Sequence, residues 1–242
     1  MFLEAAEVLP DQSLSADIAI VGAGPAGLAL ALELSRKGRS VILLESGGMR
    51  PDALGDALNA GTSNLADYPF ERSRARAFGG STTRWFGACV PLDAADFAAR
   101  SRVPHSGWPI DPADIAADIT AARAFFGLPR RSDFEDGLAN HPFATSGLDV
   151  KPVLFAAPND MGQAHRGAVS QAETIRCVLG ASVTHLAQTA TSSEISGLIA
   201  RRPDGLKFEV TARSYVLATG GLEAPRLLLS SLDQAANGFC NS

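Results

Sequence analysis

The sequence predicts an α/β fold, a parallel sheet extended by a three-stranded antiparallel β-meander, and three observations predict it. A β-branched apolar run, Ile18 to Val21, passes through three spaced glycines into an amphipathic helix and a second apolar run. Far along the chain, "ASVTHLAQTAT", "SEISGLIARR" and "LKFEVTARSYVLATGG" read as strands separated by turn residues. Between these regions lies a long stretch rich in Gly, Pro, Ala and Asp, with only short helical pieces such as "PADIAADITAARAFFGL".

In the first region, Ile18 to Val21 has the composition of a strand buried on both faces of a parallel sheet. Gly22, Gly24 and Gly27 follow in the spacing G-x-G-x-x-G, Pro25 suits the first helical turn, and Gly38 closes the helix. A second strand, Ser40 to Leu44, ends on Glu45. Each residue type has a mechanical reason in a Rossmann-like dinucleotide site. Gly22 permits a tight turn, Gly24 lets backbone amides approach a pyrophosphate, and Gly27 lets helix and strand pack closely. The helix N-terminus offers free N–H groups to the phosphates, and Glu45 stands where a carboxylate accepts ribose hydroxyls.

Composition excludes several classes. The 242-residue chain is 46% apolar, enough for a globular core, and its net charge of −5 with scattered basic residues argues against a nucleic-acid surface. The local clusters "RSRAR" (72–76) and "RRPDG" (201–205) are expected on solvated faces or turns. The opening "MFLEAAEVLPDQSLSAD" is acidic where a secretory signal would be basic, and reads as a short tail. The apolar stretch Ile18 to Leu34 is too broken by Gly and Pro to span a bilayer. Cys89, Cys177 and Cys240 are odd in number and widely spaced, which fits unpaired thiols in a reducing cytoplasm and no metal framework.

The later strands distinguish the flavin dinucleotide from the nicotinamide one. A nicotinamide enzyme would continue with alternating strands and helices; this chain instead returns through the meander to a buried parallel strand, Tyr215 to Thr219, ending "VLATGG". There Thr219 and Gly220 leave room for a cofactor. In order, "GAGPAG", "LLESGG", "FGGST", "SGWP" and "VLATGGLEAPRLLLSS" resemble the FAD-binding half of the glucose-methanol-choline oxidoreductases, from Asp17 to the C-terminus and more loosely over 129–172.

The resemblance implies one FAD-binding domain over 1–242, with its core from 14–50 and 175–232 and flavin-contacting loops and short helices inserted at 51–174. The substrate domain is largely absent. It places the loop of Phe78, Gly79, Gly80, Ser81, Thr82 and Thr83 beside the flavin, where the glycines allow close backbone approach and the hydroxyls supply compact donors. Family members often carry Asn, His, Trp and Gly at positions where this chain has Thr83, Arg84, Trp85 and Phe86. In some of them that histidine bonds covalently to the flavin. Arginine cannot, so non-covalent FAD is expected, with Arg84 pairing with phosphate, facing the substrate, or reaching a surface. Trp85 packs beside the flavin or fills the core. Further cofactor contacts are implied at Ala26, Ser46, Arg76, Ala218 and Arg226, and at Val183, whose backbone would meet the adenine.

In this family a base takes the hydroxyl proton of an alcohol or sugar while hydride passes to flavin N5. The base is a histidine from a C-terminal region that His105, His141, His165 and His185 do not resemble. Family members are about twice this length, so the catalytic histidine is expected beyond Ser242. This chain is then the FAD half of an alcohol or sugar oxidoreductase reducing a quinone, carrier protein or oxygen. Two alternatives stand beside it: a non-catalytic flavin-binding module completed by a partner chain, and an NAD-dependent Rossmann reductase.

Overall fold

A computed structural model describes residues 1–10, 12–62, 64, 69–129, 153–189, 194–231 and 239. In chain order the described strands are β1 Phe2–Glu4, β2 Ser13–Val21, β3 Val41–Leu44, β4 Ala88–Cys89, β5 Leu154–Phe155, β6 Ile175–Leu179, β7 Ser182–Gln188, β8 Ile195–Arg201 and β9 Lys207–Leu217. The described α-helices are α1 Pro25–Arg36, α2 Ala53–Ala57, α3 Ala94–Phe97, α4 Ala116–Phe125, α5 Met161–Gln171 and α6 Gly220–Ser230. The chain divides into two compact units, residues 1–84 with 160–242, and residues 85–159.

The first unit holds a seven-stranded sheet in the order β1-β6-β3-β2-β9-β8-β7. From β1 to β9 all neighbours are parallel, and β9-β8-β7 is the antiparallel meander. The apolar runs make the centre: Ile20 is opposite Leu43 on one side and Val216 on the other, and Ile20, Ile42 and Leu43 are wholly buried. α1 lies on β2, β3 and β6 through Leu28, Ala31 and Leu32, all buried. α5 packs on α1, on β6 and on the 3-10 turn Gly80–Thr83.

The structure changes two sequence expectations. The opening segment is not a tail: Phe2 to Glu4 pair with Cys177 to Leu179 as an edge strand, Ala5 and Val8 are buried, and the Phe2 ring meets Phe78 edge-on at 5.1 Å. The third meander strand and the returning parallel strand are one element. Strand β9 pairs with β8 from Lys207 to Val210 and with β2 from Glu209 to Leu217, so a single strand joins meander to parallel sheet.

The second unit begins at Trp85, whose indole Nε1 donates to the Asn159 carbonyl at 2.5 Å, and the Asn159 amide donates back to the Trp85 carbonyl at 3.1 Å. The Trp85 ring also packs at 5.7 Å on Phe126, at the end of α4. β4 and β5 form a two-stranded antiparallel sheet in which Ala88 opposes Phe155. Cys89 is partly covered and Cys177 fully buried, and burial pushes both thiols up from their ordinary value. Cys240 and His141 lie outside the described residues. Among the described residues no group of His, Cys, Asp and Glu could hold a metal, and no helix is long and apolar enough to cross a membrane.

Candidate functional site: a dinucleotide cavity

The site follows from one close approach. Gly22 turns sharply at φ +100° after β2, and a Cβ there would stand 2.6 Å from the Ala218 carbonyl oxygen at the end of β9. A Cβ on Gly27 would stand 1.9 Å from the Gly22 oxygen, so α1 also comes down onto this turn. Gly24 differs: the nearest atom to its Cβ position is the Gly80 Cα at 4.0 Å. Gly24 is the N-cap of α1 with no side chain capping the helix, so the first-turn amides face open space. That space is a cavity of about 590 Å³ in the first unit.

The cavity brings together most of the cofactor residues expected from sequence. Gly22, Gly24, Pro25 and Ala26 line one wall, Glu45 and Ser46 the end of β3, and Val183 the meander side. Ala218, Thr219, Gly220 and Arg226 come from β9 and α6, and Arg76, Gly80 and Ser81 from the glycine-rich loop. The residues fit a dinucleotide on their own geometry. Cβ positions at Gly220 and Gly221 meet nothing within 4 Å. The Thr219 hydroxyl is enclosed and has no hydrogen-bond partner, which a ligand would supply.

Other expected residues serve the loop. Gly27 is a packing residue, as above. Phe78 is in the core, and the Gly79 Cβ position is 2.6 Å from the Gly162 nitrogen. The Thr82 hydroxyl donates to the Gly79 carbonyl at 2.5 Å and accepts from the Met161 amide at 3.1 Å, while Thr83 donates to the Gly80 carbonyl at 2.9 Å. These two hydroxyls, expected to face the cofactor, hold the turn. Arg84, expected at phosphate, at substrate or on a surface, is exposed and pairs with Asp56 of α2 at 2.6 Å, and its other guanidinium nitrogen reaches the Glu71 and Arg74 carbonyls. Trp85 belongs to the other unit, in the contacts already described.

Glu45 is also spoken for. Its Oε2 accepts from the Ala23 amide and its Oε1 from the Gly47 amide, each at 2.9 Å, and the residue is 5% exposed. The carboxylate thus ties the turn after β2 to the turn after β3, with its remaining lone pairs at the cavity wall. Burial pushes its carboxyl up from the ordinary value, against the opposing pull of the two amides and the Arg76 guanidinium.

Sequence reasoning expected Arg76 and Arg226 at the cofactor but missed Arg74, Glu223 and the charged cluster they all form on the cavity wall. Arg74, Arg76 and Arg226 converge on Glu223 at 2.9, 2.9 and 2.7 Å. The side chains of Arg74 and Arg76 are 18% and 16% exposed while Arg72 and Ser73 are exposed, so only the first part of "RSRAR" is the solvated face that composition suggests. Asn59 organises them: its Oδ1 accepts from Arg76 Nε at 2.9 Å, its Nδ2 donates to the Arg74 carbonyl at 3.2 Å, and its own carbonyl accepts from Arg74. The cue was present in sequence as Glu223 three residues before Arg226, but its two distant partners were not visible. Burial pushes the Glu223 carboxyl up, and the hydrogen bond from Arg226 with the charges of Arg76 and Arg74 more than offsets this, leaving it below the ordinary value. No histidine lines the cavity among the described residues.

With this geometry in place, comparison with known proteins is informative. Residues 17–63 match the family described as FAD dependent oxidoreductase. Over 60 residues the chain is 48% identical to squalene epoxidase from Aspergillus fumigatus, a match covering 24% of this chain and 12% of that one. Pyridoxine 4-oxidase from Mesorbium loti has a similar structure at TM-score 0.53 and 23% identity, over 89% of this chain and 51% of that chain. A formate oxidase variant from Aspergillus oryzae is similar at TM-score 0.54 and 16% identity, over 90% and 48%. The chain spans about half the length of these two structural relatives.

Two expectations follow. Gly24→Ala, whose Cβ enters open space, should leave the unfolding midpoint unchanged and weaken FAD binding about tenfold, whereas Gly27→Ala should cost about 3 kcal/mol of stability by forcing backbone apart. Calorimetry and flavin titration on both variants check the pair. The two carboxyls also give opposite pH dependences in the ligand-free protein. Glu45, raised on folding, contributes stability below its unfolded value that is lost as pH rises through its folded value. Glu223, lowered on folding, contributes above its unfolded value and loses that as pH falls through its folded value. In urea unfolding across acid pH, Glu223→Gln should flatten the loss on acidification, and Glu45→Gln the loss on moving back toward neutrality.

The glycine-lined cavity, the sheet order and both structural relatives agree on the fold: this chain carries a Rossmann-like α/β fold similar to that of pyridoxine 4-oxidase and formate oxidase, with a first segment that matches FAD dependent oxidoreductases.

Proposed function

We propose that this chain is the FAD-binding half of an oxidoreductase that oxidises a CH–OH group of an alcohol or sugar. The observation that carries the reading is the cavity walled by two distant pieces of chain, Gly22 to Ala26 and Ala218 to Arg226, the second including the unpartnered Thr219 hydroxyl. FAD, when bound, supplies the hydride acceptor. The chain's own residues would bind and orient it: the uncapped N-terminus of α1 would hold the diphosphate, Glu45 and Ser46 the ribose, and Val183 the adenine. The base that takes the hydroxyl proton is, on this reading, contributed by the other half of the enzyme.

Binding is non-covalent on this reading, because Arg84 has no nucleophile to offer the flavin and is engaged with Asp56. Purified protein should be yellow, and acid precipitation should leave the colour in the supernatant. Colour retained in the pellet would contradict non-covalent binding, and colourless protein that takes up no added FAD would contradict the cofactor itself.

A second reading, a flavin-binding module completed by another polypeptide, has support from the second unit. Phe86 and Phe155 are 90% and 59% exposed, and Val90, Leu92 and Val153 are also exposed. Ala88 opposes Phe155 and Cys89 opposes Leu154 in the β4–β5 pair, and the exposed Phe86, Val90 and Val153 flank these two short strands in the chain. Two such short strands do not stabilise themselves in water and need cover on an apolar face. A polypeptide equivalent to the other half of the two structural relatives suits that face. Phe86→Ser with Phe155→Ser should abolish most binding of an environment-sensitive hydrophobic dye without lowering the unfolding midpoint; undiminished dye binding would remove this support.

A further inference from the structure

We propose that the groove between α3 and the turn at residues 108–114 seats an arginine side chain of the polypeptide that covers the second unit. The inference rests on the second reading above, in which another polypeptide completes this chain, and it names the chemistry by which that partner is held.

The groove lies wholly within the second unit and has a volume of about 380 Å³. Its apolar part comes from Phe97, which is buried, and from Ala98, Ile110 and Trp108. Trp108 is 60% exposed, so the groove presents an aromatic surface to water. Its charged part is anionic: Asp111 and Asp114 line it and no basic residue does. Each carboxylate takes one backbone amide at the start of the 3-10 turn Pro112–Ile115, Asp114 from the Asp111 amide at 2.8 Å and Asp111 from the Asp114 amide. Further lone pairs remain on both, and among the described residues no cation pairs with either.

One side chain answers all of these features. A guanidinium is planar, stacks on an aromatic face and donates to two carboxylates at once, and its methylene stem lies along apolar walls. A lysine would keep the charge and lose the stacking and the fork. A partner that covered the groove with apolar atoms alone would take two carboxylates out of water unpaired. The charge of the unit acts in the same direction, since over residues 85–129 five aspartates outnumber three arginines.

The groove is also held in shape before a partner arrives. The Trp108 amide donates to the Phe97 carbonyl at 3.1 Å, and the Ser106 hydroxyl accepts from the Arg100 amide at 2.8 Å. Gly107, at φ +88°, lies so near Ala99 that a Cβ would stand 2.9 Å from the Ala99 nitrogen. Little freedom is left to lose on binding.

The experiment uses the whole chain and three dye-labelled peptides, tetra-arginine, tetra-lysine and tetra-glutamine, followed by fluorescence anisotropy across a salt series. Tetra-arginine should bind best with an affinity that falls with salt, tetra-lysine more weakly, and tetra-glutamine not measurably. Asp111→Asn and Asp114→Asn, whose amides keep an accepting oxygen for the turn, should each weaken tetra-arginine about fivefold. Trp108→Leu should weaken it about fivefold with the salt dependence retained. Asp118→Asn, on an exposed residue of α4 outside the groove, should change it less than twofold. Equal losses for Asp118→Asn and the groove variants would show a diffuse acidic surface and overturn the inference, as would tetra-arginine binding that Trp108→Leu leaves unchanged. No tetra-arginine binding, in a protein whose hydrophobic dye binding is lost with Phe86→Ser and Phe155→Ser, would overturn the seat and leave the second reading standing. A chain that self-associates in sedimentation, and stops doing so with Asp111→Asn, would give the seat to a second copy and overturn the assignment to a different polypeptide.

Discussion

The structure depends on the parallel pairing of β2 with β9 and on how closely the ends of those strands are allowed to meet. The Ala218 amide donates to the Val21 carbonyl at 2.8 Å and the Gly22 amide to the Leu44 carbonyl at 2.7 Å, so three strands end together. At that point backbone occupies the space where a side chain on Gly22 or Gly27 would go. Glycine therefore permits contact where any other residue would force the strands apart, and the gap left above Gly24 becomes the cavity floor. Residues separated by nearly the whole chain share one site because two strands share one register.

Legibility in sequence followed the range of the interactions. The first β-turn-α-β segment could be read because spacing, Pro25 and the terminal Glu45 are local and mutually consistent. Strand β1 could not, because three residues with one acidic neighbour become a strand only when β6 arrives to pair with them. The continuity of β9 was hidden for a related reason. Lys207 to Val210 answer to β8 and Glu209 to Leu217 to β2, and turn residues punctuate a chain without saying how many partners a strand will find. The 51–174 insertion was read as one piece, yet 85–159 forms its own compact unit and the remainder packs with the sheet unit.

At the site, residue type predicted location better than it predicted partner. Glu45 is where a ribose-binding acid should be, but its nearest donors are backbone amides that no spacing rule reveals. Thr82 and Thr83 are small hydroxyls in a loop, and a 3-10 turn leaves carbonyls within reach of such side chains, so the loop uses them first. Arg84 follows the same logic, since Asp56 on α2 is a nearer anion than a phosphate across a cavity. Arg76 and Arg226 were expected at the cofactor, whereas Arg74 and the carboxylate that gathers all three were the largest miss. Exposure statistics send "RSRAR" to the surface, and only the fold of α6 delivers Glu223 to Arg74 and Arg76.

The balance of satisfied and unsatisfied polar groups is itself an argument for where a ligand belongs. Asp52 caps α2 by accepting from the Gly55 amide, Asp160 caps α5 by accepting from the Gln163 amide, and Asn59, though fully buried, uses both ends of its amide. Along the cavity this economy lapses. α1 begins without a side-chain cap, Thr219 encloses a hydroxyl with no partner, and Arg74 encloses an Nε with none. Enclosed donors cost free energy wherever they are left alone, on the order of 1–3 kcal/mol each. Two such enclosed donors belong to residues that line the cavity, Thr219 and Arg74, and a ligand that bound there and reached either of them would recover part of that cost.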